Sequence, residues 1–134
     1  MGVKDLYIEV REYWKMLQNA NAFATGRMDH AGAHFYQLLG SLKDMLLVPA
    51  NISNDFLLFI AQPDNLGELG PIIDTIQPEE DRKWIRYNLG VAITTRIDKL
   101  TQEGQARRQG FGDPISLASL RKLNKYLTDY YAQS

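Results

Sequence analysis

Cysteine is absent from the 134 residues. That removes disulfide cross-links, thiolate catalysis, cysteinyl zinc or iron–sulfur centres and covalent c-type haem attachment. Histidine occurs only twice, as His30 and His34. No apolar run approaches the roughly 20 residues needed to cross a bilayer, so no membrane partner is expected. The N-terminal stretch lacks the basic, apolar, small-residue order of a secretion signal, and Leu6 stands where a myristoylation signal needs Ser or Thr. With no disulfides to stabilise a secreted fold, a cytoplasmic setting is expected, and Asn51-Ile52-Ser53 matches the glycosylation sequon by chance. Strict alternation of apolar and polar residues is missing too, as are internal repeats and low-complexity runs.

Helical spacing is what the chain does have. Val3, Leu6, Val10, Tyr13, Leu17, Ala20 and Ala24 recur at three- and four-residue steps, which predicts a helix over 3–24 closed by Gly26 in a left-handed C-cap. Asp29 is the expected N-cap of a second helix through Phe35, Leu38, Leu42 and Met45, ended by Pro49. Ser53 or Asn51 restarts a short third helix through Phe56, Leu57 and Ile60, whose apolar residues surround its axis. Residues 62–77, punctuated by Pro63, Gly67, Gly70 and Pro71, read as a packed connection. Pro78 followed by Glu79, Glu80 and Asp81 opens a long helix through Trp84, Ile85, Leu89, Ala92, Ile93, Ile97 and Leu100 to Gly104. After a glycine-rich loop, Pro114 or Ser116 starts the last helix, with Leu120, Leu123, Leu127 and Tyr130 on one face. The expectation is an all-α fold, a small bundle of four to five mainly antiparallel helices, in a single domain over 1–134. The length suits one core, and the composition, 45% apolar and 23% charged, is ordinary for a globular chain.

The net charge of −1 conceals an asymmetry. Residues 1–81 carry 5 Lys/Arg against 12 Asp/Glu, a balance of −7. Residues 82–125 carry 10 against 3, a balance of +7, and Asp129 supplies the remainder. Such polarity marks an interaction face unless the two halves pack with their opposite charges adjacent. The basic half contains Arg82, Arg86, Arg107, Arg108, Arg121, Lys122 and Lys125, a set able to follow phosphates if the fold joins them into one stripe. The overall pI near 6.1 argues against a dedicated nucleic-acid domain.

Reactive chemistry finds little support. His30 and His34 share a helix face at i, i+4 spacing, yet two nitrogens fall short of a metal site, and the Glu-x-x-His pattern of di-iron bundles is missing. The carboxylates of Glu79, Glu80 and Asp81 diverge by about 100° per residue and are explained by the helix dipole. Gly110-Phe111-Gly112 lacks the third glycine of a dinucleotide fingerprint, and no serine elbow or phosphate loop occurs. Neither a catalytic residue nor a cofactor is therefore expected. Aromatic residues on the outer helices, namely Tyr7, Trp14, Tyr126, Tyr130 and Tyr131, suit a partner or homo-oligomer surface, because such rings remove much apolar area from water. These features point to a non-enzymatic helical protein–protein interaction module, acting as an adaptor, assembly subunit or inhibitor and self-associating. The alternative is a small helical subunit of a nucleoprotein complex that contacts RNA or DNA through its basic C-terminal half.

Overall fold

A computed structural model of the chain describes residues 2–26, 29–106 and 114–132. Among these residues are seven α-helices, one 3-10 turn and no strand. The helices are α1 (Val3–Asn19), α2 (Ala22–Thr25), α3 (His30–Leu46), α4 (Asn54–Ile60), α5 (Pro63–Asp74), α6 (Glu79–Ala106) and α7 (Pro114–Ala132). The 3-10 turn, Pro49–Asn51, lies between α3 and α4. The all-α expectation therefore holds for the described residues, while the helix count exceeds the four or five expected.

Two local features account for the difference. The first helix stops at Asn19 because Asn21 takes a left-handed conformation (φ 56°), which asparagine tolerates better than most side chains. The chain then makes the single turn of α2 and ends on Gly26 (φ 70°), the left-handed cap foreseen from its position. The second difference is α5, a 12-residue helix in the segment expected to be a connection. Pro63 opens its first turn, where a missing N–H costs nothing. Pro71 stands inside it, and the carbonyl that loses its donor belongs to Gly67, an exposed residue. Burial of Leu69, Ile72 and Ile73 along one side outweighs that local penalty.

Elsewhere the expected helix starts hold. Asp29 caps α3, its side chain accepting from the Ala31 N–H at 3.0 Å. Ser53 occupies the N-cap position of α4, and α6 begins directly after Pro78. That helix continues to Ala106, past the stop expected at Gly104, because one glycine costs only about 1 kcal/mol against alanine.

One continuous cluster of buried side chains draws on α1 to α7. At its centre is α4, which touches α1, α5 and α7, with Phe56, Leu57 and Ile60 buried. Having almost no polar side, this seven-residue helix gains its stability by being enclosed. Tyr7 meets the edges of Phe56 and Phe59 at ring separations of 5.4 and 6.1 Å. On the other side, α3 and α6 meet through Leu39, Leu42, Leu46, Ile85, Leu89 and Ile93, all buried.

Among the described residues, the buried side chains of Asn65 and Asn88 do the same work. Asn65 donates to the Phe59 carbonyl at 2.9 Å, and Asn88 donates to the Leu46 carbonyl at 3.1 Å. Both acceptors lie in the last turn of a helix, where carbonyls have no intrahelical donor. Asn88 thereby fixes α6 against the end of α3. Replacing Asn88 with Ala leaves the Leu46 carbonyl without that donor, and should lower stability by about 1–3 kcal/mol. In urea unfolding the midpoint should fall with an unchanged slope, and an unchanged midpoint would refute this role.

Candidate functional site

At 100° per residue, α6 presents two apolar sides. Ile85, Leu89, Ile93 and Leu100 fall on one and are buried. Trp84, Tyr87 and Val91, at i, i+3 and i+7, fall on the opposite one and are 55%, 63% and 43% exposed. The Trp84 and Tyr87 rings meet edge to face at 6.1 Å. Trp84 was among the apolar residues that trace this helix in the sequence, whereas Tyr87 and Val91 carried no expectation. Their signal was a second apolar stripe lying opposite the first. Beside it lies a groove of about 340 Å³ between α6 and the segment formed by the 3-10 turn and α4. Pro49, Ile52, Leu57, Val91 and Ala92 give it apolar walls, and Arg96 and Lys99 stand at its charged end. Val48, also exposed, precedes this wall. The other exposed large apolar residues, Met16, Tyr36 and Ile115, are on α1, α3 and α7. Isolated apolar side chains are normal on a surface, whereas a contiguous stripe marks a contact.

The aromatic residues expected at an interface lie elsewhere. Tyr7 is only 1% exposed and cannot present a surface, because α4 covers it. Burial raises the pKa of its hydroxyl, and the Glu68 charge acts in the same direction. Trp14, Tyr126 and Tyr131 are half-buried against the core. Tyr126 accepts from the Gly70 N–H at 3.2 Å and stacks on Tyr130, with ring centroids 5.8 Å apart. Tyr130 lies so close over Gly70 that a Cβ there would fall 2.5 Å from its ring, and its hydroxyl donates to Asp74. These tyrosines clamp α7 to α5.

The basic residues also divide. Arg82 donates to the Ile76 carbonyl at 2.6 Å, and the Arg86 guanidinium lies 4.5 Å from the centre of the Tyr131 ring, a cation–π contact. With Lys83, Asp74, Glu79 and Tyr130 they border a cleft of about 560 Å³ of mixed charge. Arg121, Lys122 and Lys125 are exposed on α7, and Lys125 pairs with Asp129 at 2.8 Å. Arg121 is ten residues from Tyr131, so roughly 15 Å of helix separates it from the level of Arg86. Arg107 and Arg108 lie outside the described residues.

His30 and His34 are exposed on the first turns of α3, the latter 4.8 Å from the Tyr13 ring. Among the described residues no group of three or more His, Asp or Glu side chains is placed to hold a metal ion. No described helix is long and apolar enough to cross a membrane. The charge asymmetry is not resolved by pairing between the halves. Arg11 and Lys15 both meet Glu68, Lys43 meets Asp81, and Lys125 meets Asp129. Every ion pair among the described residues thus stays within 1–81 or within α7.

Comparison with protein-family models, with curated proteins and with solved structures finds no match to this chain.

The tyrosine clamp makes an alkaline prediction. Burial, and then the hydrogen bond to Asp74, push the Tyr130 pKa up to about 12 from the ordinary 10.0. A group that holds its proton more tightly when folded stabilises fully below its unfolded pKa and loses that contribution as pH rises through the folded value. Stability should therefore fall between about pH 10 and about pH 12, less steeply in Tyr130→Phe. Urea unfolding across that range checks this, and equal slopes for the two proteins would remove Tyr130 as a contributor.

Proposed function

We propose that the chain forms one mainly antiparallel helical domain and acts as a non-enzymatic protein–protein interaction module. It serves as an adaptor, assembly subunit or inhibitor, and the uncovered side of α6 is its contact surface. The observation that carries this reading is the exposure of Trp84, Tyr87 and Val91 on one stripe beside an apolar groove. Trp and Tyr are enriched where proteins meet, and an i, i+3, i+7 pattern is how one helix face engages a partner. Water excluded from such a stripe is the driving force, and it needs no reactive group. A cytoplasmic setting suits a cysteine-free chain.

Tyr87→Glu and Val91→Glu each place a carboxylate in the stripe while leaving the buried side of α6 intact. Folding stability should change by no more than about 0.5 kcal/mol, as for ordinary surface substitutions. Partner binding or self-association should weaken by about tenfold or more. Recovery from native extract and light scattering give the readouts, with circular dichroism as the fold control. If the variants keep the wild-type molecular mass and recover the same proteins, the reading fails.

A second reading, contact with RNA or DNA, draws on the exposure of Arg121, Lys122 and Lys125 along α7. It predicts that Arg121→Ala with Lys122→Ala weakens binding of a labelled oligonucleotide and lowers its salt dependence by about two charges. Binding that is absent at low salt, or unchanged in that double variant, would dismiss it.

A further inference from the structure

A second groove runs between α6 and α7, on a different side of α6 from the one beside Trp84. It holds about 490 Å³, the ordinary size of a small-molecule site. Lys83, Arg86, Tyr87 and Gly90 fall within about 100° of the circumference of α6 and form one wall, while Asn124, Leu127, Thr128 and Tyr131 of α7 form the other. We infer that this groove binds a small phosphate monoester of a planar ring, of the mononucleotide class. The inference stands apart from the apolar stripe, because Trp84 and Val91 lie outside the groove and Tyr87 alone borders both.

Charge marks one end of the groove for an anion. None of the described residues that line it is acidic, and Lys83 and Arg86 are cationic. Neither is in an ion pair with a described residue. The Arg86 guanidinium lies over the Tyr131 ring at 4.5 Å, a contact that holds the side chain in place and leaves its N–H groups for another acceptor. Two positive charges match the nearly double charge of a phosphate monoester at neutral pH better than the single charge of a carboxylate. Asp74 and Glu79 line the adjoining cleft, which shares Lys83, Arg86 and Tyr131 with the groove. Their carboxylates repel an anion there, so the groove is the side from which the two cations are reached.

The other end suits a ring. Gly90 stands seven residues beyond Lys83, or ~10 Å of helix rise, which leaves room for an anionic group and a ring in line. A Cβ at Gly90 would meet nothing within 4 Å, so packing against the described residues does not call for glycine, a poor helix former. The missing side chain instead opens the groove beside the Tyr87 ring and the buried Leu127, an aromatic wall and an apolar floor for a planar ring. Polar recognition of the ring edge is available from α7. The Asn124 amide offers a donor and an acceptor, and the Thr128 hydroxyl, which donates to the Asn124 carbonyl at 2.9 Å, can still accept.

Calorimetric titration of the full chain with adenosine monophosphate, and with adenosine and inorganic phosphate as its two halves, tests the proposal. The monophosphate should bind with a Kd between about 10 μM and about 1 mM, less tightly as salt is added, and each half should bind at least about tenfold more weakly. Lys83→Gln should weaken the monophosphate by about three- to tenfold and leave adenosine unchanged. Gly90→Leu fills the opening with a better helix former, so it should weaken both by about tenfold or more while the thermal midpoint holds or rises. Val91→Glu, outside the groove, should bind the monophosphate as the wild type does. The proposal is overturned by no binding at millimolar monophosphate, or by inorganic phosphate binding as tightly, which would leave only an anion patch. Wild-type affinity in both Lys83→Gln and Gly90→Leu, or a loss in Val91→Glu equal to that in Gly90→Leu, overturns it too. Should Gly90→Leu lower the thermal midpoint, the contrast between monophosphate and adenosine in Lys83→Gln decides alone.

Discussion

A helix packed into a bundle can bury only the side that faces its neighbours, and α6 has apolar residues on both. Its inner side meets α3 and α7 through Ile85, Leu89 and Ile93, all 0% exposed, which fixes the rotation of the helix about its axis. Once that rotation is set, the position of Trp84, Tyr87 and Val91 follows from 100° per residue. Turning them inward would expose Leu89 and Ile93 and strip Asn88 from the Leu46 carbonyl. Fully burying one Leu or Ile is worth about 1.5–3 kcal/mol, so several together outweigh any gain from covering the outer three. The exposed stripe is thus a consequence of the core, and the chain itself has no further helix on that side to cover it among the described residues.

The fold class was legible because the signals were local and redundant. Asp29, Pro49, Ser53 and Pro78 each mark a boundary through backbone chemistry that operates within one turn. What escaped was structure in which tertiary burial overrides local preference. Gly67, Gly70 and Pro71 all argue against a helix, yet α5 forms because Leu69, Ile72 and Ile73 lie on one side of it against the core. Its break-prone centre is supported from another helix, where the Tyr126 hydroxyl takes the Gly70 N–H and the Tyr130 ring fills the space of the absent side chain. That support lies more than 50 residues away in the chain, beyond any periodicity test. Asn21 illustrates the opposite limit, since a single left-handed residue divides a helix without disturbing its apolar spacing.

The candidate site was less legible for a related reason. Aromatic and basic residues were each singled out as surfaces, but folding directs several of them at one another. Arg86 lies on Tyr131, Tyr130 on Gly70 and Asp74, and Tyr7 on Phe56. Residue type states what a side chain is able to contact, whereas the fold decides which contacts its own chain already supplies. Trp84 shows the same rule in reverse: its apolar character does not say which side of the helix it occupies, and only the rotation of α6 reveals it as surface. Counting apolar residues on every side of that helix, rather than along one seam, exposes the excess.

The charged border of the stripe bears on selectivity. An apolar surface alone attracts any apolar partner, because water exclusion has no direction. Charges at its edges contribute little attraction in high dielectric, but a like charge placed opposite one of them is penalised, and that penalty chooses among partners and orientations. Glu80 and Lys83 at one end, with Asp98 and Lys99 at the other, form such a border without ion pairs to described residues. The affinity of this face would come from three uncharged side chains and its specificity from four charged ones. Substitutions in the two sets should therefore differ in kind, the first changing how tightly a partner is held and the second changing which partner, in which direction, is accepted.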